Sequence, residues 1–116
     1  MKTFDLNAMT RGWFVGDFEP TALTTKACEV AVKRYEQGNQ EAAHYHAIAT
    51  ELTLVLDGHA RFSGRDVGPG EIVVVEPGEV LSFEAVTDVT TVVVKVPSAP
   101  ADKYLAEAGE QEKQAN

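Results

Sequence analysis

The chain has 116 residues, 44% of them hydrophobic and 24% charged, which is material for one core and too little for two. Eighteen acidic side chains against ten basic ones give a formal net charge of −8, arguing against a nucleic-acid backbone or an anionic membrane as the main partner. No apolar run approaches the roughly 20 residues of a membrane span. The opening MKTFDLNAMTRGW has one lysine, then Asp5, and no h-region, so it does not read as a secretory signal. With a single cysteine, Cys28, the expectation is a cytoplasmic protein.

Fifteen valines and ten threonines favour pleated structure, and Gly and Pro fall at short intervals between β-rich runs. That pattern predicts an all-β sandwich or barrel of antiparallel strands. Residues 1–26 form an N-terminal segment in this reading. Lys2 to Leu6 is a short edge strand, and Trp13, Phe14 and Phe18 seal one barrel end or a subunit contact, with a pocket lid as the sharper alternative. Residues 27–96 form the barrel core. Ala27 to Tyr35 alternates, with Cys28, Val30 and Val32 on one face and Glu29, Ala31 and Lys33 on the other. Ala43 to Ile48 follows, then Thr50 to Leu56. Asp57-Gly58 is a hairpin signal, with His59 to Phe62 as the returning strand. Ser63-Gly64 turns into Arg65 to Val67. Glu71 to Val75 is a buried strand between Gly68-Pro69-Gly70 and Pro77-Gly78. Leu81 to Val86 and Val89 to Val96 complete the set. In the tail, residues 97–116, composition predicts one or two helical turns around Asp102 to Ala108.

The chemistry concentrates at His44 and His46. Two positions apart on a strand, their imidazoles share a face. Ala47-Ile48-Ala49-Thr50 ends one strand and begins the next, so parity flips and Glu51 can face the same interior. Two neutral imidazoles and one carboxylate suit Fe, Mn, Ni, Zn or Cu as a divalent ion. Two histidines near a glutamate also arise without any metal, and here the surrounding glycines decide. Gly38, His44, His46, Glu51 and Gly58 fall at the spacing of the first signature motif of the cupin superfamily, which the chain resembles from about Ala27 to Val96. Gly70-Glu71-Ile72-Val73-Val74-Val75-Glu76-Pro77-Gly78 is similar to the start of the second motif. The resemblance implies a single-domain jelly-roll β-barrel, a metal held by His44, His46 and Glu51, and a homodimer built by exchange of N-terminal strands. It also implies a fourth ligand histidine, and Leu81 stands in its place. Three outcomes follow: a metal held by three side chains and water, a substitute ligand, or no metal and a pocket for an organic molecule.

The remaining polar residues have plainer readings beside sharper ones. His59 starts a strand at the surface. Cys28 is a small buried hydrophobe. Arg34, Arg61 and Tyr35 are solvated residues that could alternatively clamp an anion. Glu76 and Glu79 flank the Pro-Gly turn and face water, with Glu79 at the barrel mouth as the sharper alternative. No general acid or base is evident beyond the ligands. The reading is therefore a small cupin whose divalent metal acts on a small polar organic molecule, by dioxygenase, isomerase or lyase chemistry that the sequence does not separate. The alternative is a metal-free ligand-binding or sensor module. A purely structural role fits less well, since three polar groups aimed into a barrel are costly to bury.

Overall fold

Alternating β-branched runs form eleven strands in two sheets in the structure, a computed structural model that describes residues 1–106. The first sheet runs β2 (Leu23–Thr24), β1 (Trp13–Gly16), β3 (Glu29–Tyr35), β10 (Val89–Val96), β5 (Thr50–Asp57) and β8 (Ile72–Val75) in spatial order. The second runs β11 (Tyr104–Leu105), β4 (Gln40–Tyr45), β9 (Leu81–Ala85), β6 (Ala60–Phe62) and β7 (Arg65–Val67). All pairings are antiparallel except β1 with β2. The fold is all-β, as the composition predicts.

Both sheets contribute to one apolar core. Val55, Val75 and Val89 come from the first; Phe62, Leu81, Phe83 and Ala85 come from the second. This core fills one end of the interior. Toward the other end the inward positions become polar, and there Glu29, Lys95 and Glu51 stand side by side on β3, β10 and β5. The site described below occupies that polar end.

The outer face of the six-stranded sheet is aliphatic. Val32, Val92, Leu54 and Ile72 stand in one rank across β3, β10, β5 and β8. Val30, Val94, Leu52 and Val74 stand in the next. On β8, Ile72 is 60% and Val74 51% exposed.

Several expectations are corrected. Lys2 to Leu6 is not a strand; the chain there is irregular and leads into 3-10 turns at Leu6–Ala8 and Thr10–Gly12, with the Asp5 carboxylate accepting from Asn7 N–H at 2.8 Å. Glu71 to Val75 is half of a two-faced edge strand: Val75 is buried, whereas Ile72 and Val74 face outward. On β3 the interior face is Glu29, Ala31, Lys33 and Tyr35, so Cys28, Val30 and Val32 point away from the pocket. No helical turn forms at Asp102; instead Tyr104–Leu105 pairs with β4, and the rest of the expected helix, to Ala108, lies outside the described residues.

Asp57-Gly58 is not a hairpin turn, because β5 and β6 belong to different sheets. Gly58, at φ +85°, turns the chain across the barrel edge. The corner is held by the Thr87-Asp88 loop, where Thr87 Oγ1 accepts from His59 N–H at 3.0 Å. The local signal was a left-handed residue, and it could not say which sheet the chain would enter next. Ser63-Gly64 does close a hairpin: both residues have positive φ between the paired Phe62 and Arg65, as a two-residue type I′ turn requires.

A Cβ at Gly58 would overlap the Asp88 carbonyl oxygen, whereas one at Gly64 would meet nothing within 4 Å. Gly58→Ala is expected to lower unfolding free energy by roughly 3 kcal/mol in urea denaturation, and Gly64→Asn by far less, because asparagine tolerates the left-handed region in open space.

Candidate metal centre

The site begins with an irregularity in β4. Glu41 pairs with Phe83 and His44 with Leu81, so β4 carries one extra residue over this stretch, a β-bulge at Ala42-Ala43. Without it Glu41 and His44 would face opposite sides. With it Glu41, His44 and His46 all line the same cavity. The bulge also frees a carbonyl: Ala42 O accepts from His44 Nδ1–H at 2.9 Å. That hydrogen bond fixes the ring and leaves Nε2 as the unprotonated nitrogen.

After β4 the chain crosses to the other sheet through His46, Ala47, Ile48 and Ala49. This crossover is clamped from two sides. The Asp102 carboxylate accepts the N–H groups of Ala47, Ile48 and Ala49 at 2.9, 3.0 and 3.0 Å. His46 O accepts from Gly78 N–H at 2.7 Å, at the Pro77-Gly78 turn. Ala106 N–H donates to Ala43 O, and the Tyr45 and Tyr104 rings stack 5.3 Å apart, so the tail lies along β4. The clamp sets where Glu51 enters β5, facing inward as the sequence parity predicts.

His44, His46 and Glu51 are all buried and can each offer a ligand atom within 4.8 Å of the others. The imidazoles stand edge to face, with centroids 5.5 Å apart. Glu51 Oε2 lies 3.7 Å from His46 Nδ1, beyond hydrogen-bonding distance. His46 Nε2 is buried with no hydrogen-bond partner. Burial first, then the charges of Lys95 and His44, push the His46 imidazole down to about 4, so it is neutral near pH 7. Burial pushes the Glu51 carboxyl above its ordinary value, and Lys95 and His44 offset this only in part. A partnerless nitrogen, a neutral ring and a donor-poor buried carboxyl are the features of a set that can accept a divalent cation.

Leu81 projects toward this set. It is paired with His44 and lines the same cavity, sharing its face with Phe83 and Ala85 as the strand reading has it. The cavity is small, about 50 Å³. Its far wall holds Tyr35, whose hydroxyl donates to Glu41 Oε2 at 3.1 Å. Burial first, and then the Glu41 carboxylate, push the Tyr35 hydroxyl well above its usual value, so it remains a donor.

Among the other candidates, Tyr35 is at the site, whereas Arg34 is exposed on the outer face and Arg61 is bound to Asp66 at 3.0 Å on the surface. His59 is exposed. Glu79 caps the Pro-Gly turn by accepting from Glu76 N–H at 2.7 Å and stays outside. Trp13 lines the cavity. Glu41, Lys33 and Lys95 were missed as site residues. Lys95 carried a signal, a lone cation at an inward position of an aliphatic strand; Glu41 did not, because the bulge reverses its parity.

No family model matches the sequence, and no curated protein matches it. Solved structures do. A double-stranded β-helix protein from Klebsiella pneumoniae is 22% identical, with a TM-score of 0.68 over 91% of this chain and 92% of that one. The DMSP lyase DddQ from Ruegeria pomeroyi is 20% identical, with a TM-score of 0.70 over 81% of this chain and 49% of that one. A sugar phosphate isomerase of the cupin superfamily from Silicibacter pomeroyi is 22% identical, with a TM-score of 0.61 over 70% and 57%. At these identities the likeness establishes the fold, which is that of a small single-domain cupin.

Burial alone would raise the Asp102 carboxyl, but the N–H donors of Ala49, Ala47 and Ile48 outweigh it and hold the group below its ordinary value. A depressed carboxyl adds stability above its unfolded pKa and loses it as pH falls through the folded one. Asp102→Asn is therefore expected to cost about 2 kcal/mol at pH 7 in chemical denaturation, with the gap to wild type closing below about pH 4.

Proposed function

We propose that this barrel holds a divalent transition metal through His44, His46 and Glu51 and carries out metal-centred chemistry on a small polar organic molecule. The observation that carries the reading is the convergence of three buried ligand atoms within 4.8 Å beside a partnerless imidazole nitrogen. Cupin-fold neighbours described as a lyase and an isomerase support an enzymatic role. When bound, such an ion supplies Lewis acidity toward a carbonyl or enolate oxygen. The chain supplies the rest. Leu81, Phe62 and Phe83 exclude water from the cavity and strengthen the electrostatics inside. At the cavity wall Tyr35 keeps its proton and donates a hydrogen bond to Glu41, a polar pair that the sequence does not announce. Leu81 favours a second reading, a metal-free binding module, because it removes one ligand position.

Elemental analysis of untagged protein separates the two. Near-stoichiometric metal that disappears in a His44→Ala, His46→Ala variant is expected. Leu81→His should tighten retention against a chelator by at least about tenfold, because a fourth ligand then faces His44. Metal-free protein with chelator-insensitive stability would favour the binding module.

The aliphatic outer face supports a homodimer, packed face to face rather than by exchange of the N-terminal strands. At about 4.8 Å between strands and about 3.4 Å per residue, the four strands that carry the ranks, β3, β10, β5 and β8, cover roughly 440 Å² in projection, the scale of a small interface. The face carries two parallel aliphatic ranks and so matches a second copy of itself. Sedimentation is expected to give twice the chain mass for wild type and a single mass for Ile72→Lys, Val74→Lys; an unchanged mass in that variant would exclude this face. The single free cysteine fits a cytoplasmic setting.

A further inference from the structure

Above the small cavity lies a wider vestibule of about 630 Å³. The two share Trp13, Lys33, Glu41, Lys95 and Lys103 as walls. With Arg11, four of the chain's ten basic residues line this one opening, beside the acidic Glu19, Glu29, Glu41 and Asp102.

The lysines make no close ion pairs. Among the described residues, no carboxylate oxygen lies within 4.0 Å of Lys33, Lys95 or Lys103. Lys95 stands in register between Glu29 and Glu51, yet it pairs with neither. Its ammonium instead lies 4.9 Å from the centre of the Trp13 ring, and that of Lys33 lies 5.4 Å from the same centre. Nearby acids are engaged elsewhere. Glu29 accepts from the Ser98 hydroxyl at 2.9 Å, Glu41 accepts from Tyr35, and Asp102 accepts three backbone N–H groups. Burial pulls the Lys33 ammonium below its usual value. Glu41 opposes this, while Lys103, Arg11 and Lys95 add to it. Like charges gathered without ion pairs are costly unless something outside the chain shares them.

The geometry points to a ligand with an anionic group, a carboxylate or a phosphate, held in the vestibule by the ammoniums of Lys33, Lys95 and Lys103 beside Trp13 while its uncharged end enters the cavity of His44, His46 and Glu51. This names the substrate class of the site proposed above and rests on that reading for the second half only. The division of space supports it. The inner cavity admits a group of a few atoms, whereas the vestibule has room for a charged head and its hydration. The vestibule wall balances four basic against four acidic side chains, so attraction of an anion rests on where the unpaired ammoniums stand and not on net charge.

Trp13 is the chain's sole tryptophan, so its fluorescence reports on the vestibule with or without metal. The experiment titrates succinate, inorganic phosphate and uncharged succinamide into chelator-treated and metal-loaded protein, with calorimetry alongside. A saturable response to succinate or to phosphate is expected in both forms, and none to succinamide. Whichever anion binds tighter identifies the charged group. Lys33→Gln, Lys95→Gln should weaken binding by at least about tenfold, because both ammoniums act in a partly desolvated setting. Lys33→Arg, Lys95→Arg should retain it, and so should the remote Lys2→Gln. Succinamide binding as well as succinate, silence with both anions, or undiminished affinity in the glutamine variant would each overturn the inference. Anion binding by protein that takes up no metal even when a divalent ion is supplied would instead defeat the metal centre alone.

Discussion

One extra residue in β4 arranges the site. A regular strand would place Glu41 outside and His44 inside; the bulge at Ala42-Ala43 places both inside. The same distortion releases the carbonyl that orients the His44 ring. A change in backbone phase thus does two things at once: it chooses which side chains enter the barrel, and it sets which nitrogen of an imidazole is left to act. The strand could not do either by alternation alone.

The two buried acids near this strand show how the backbone decides a carboxyl's role. Asp102 is surrounded by N–H donors and remains ionised as a structural anchor. Glu51 lacks such donors and is pushed toward its neutral form by burial. Both sit beside the same short crossover between β4 and β5. One stabilises the crossover, and the other is left with an unmet need for positive charge. The first condition holds the second in place, because the crossover that Asp102 fixes determines where β5 begins.

Much of this was legible in the sequence wherever it depended on strict alternation. The i, i+2 spacing of His44 and His46, the parity change before Glu51 and the shared face of Leu81, Phe83 and Ala85 all appear in the structure. What was hidden depended on departures from alternation or on long-range pairing. Glu41 is brought inward by a bulge with no signature in Glu-Ala-Ala-His. Asp57-Gly58 announced a left-handed turn, but whether a chain returns along its own sheet or crosses to the facing one depends on the distant Thr87-Asp88 loop. The tail looked helical by composition, yet Asp102 finds three donors more than 50 positions away in sequence, and the segment is drawn into an edge strand instead. On β3, both faces alternate equally well, so only the packed sheets show that Lys33 faces inward and Val32 outward.

The tail's position gives the fold an external brace. The barrel sheets close without residues 99–106, yet the crossover carrying His46 is held by Asp102, and the outer edge of β4 is covered by Tyr104–Leu105. Trimming the chain at Pro100, or fusing a bulky partner there, would leave a shell of normal secondary structure around a loosened crossover at His46. Spectra dominated by strand content would report such a molecule as intact, even though the geometry of its interior had been lost.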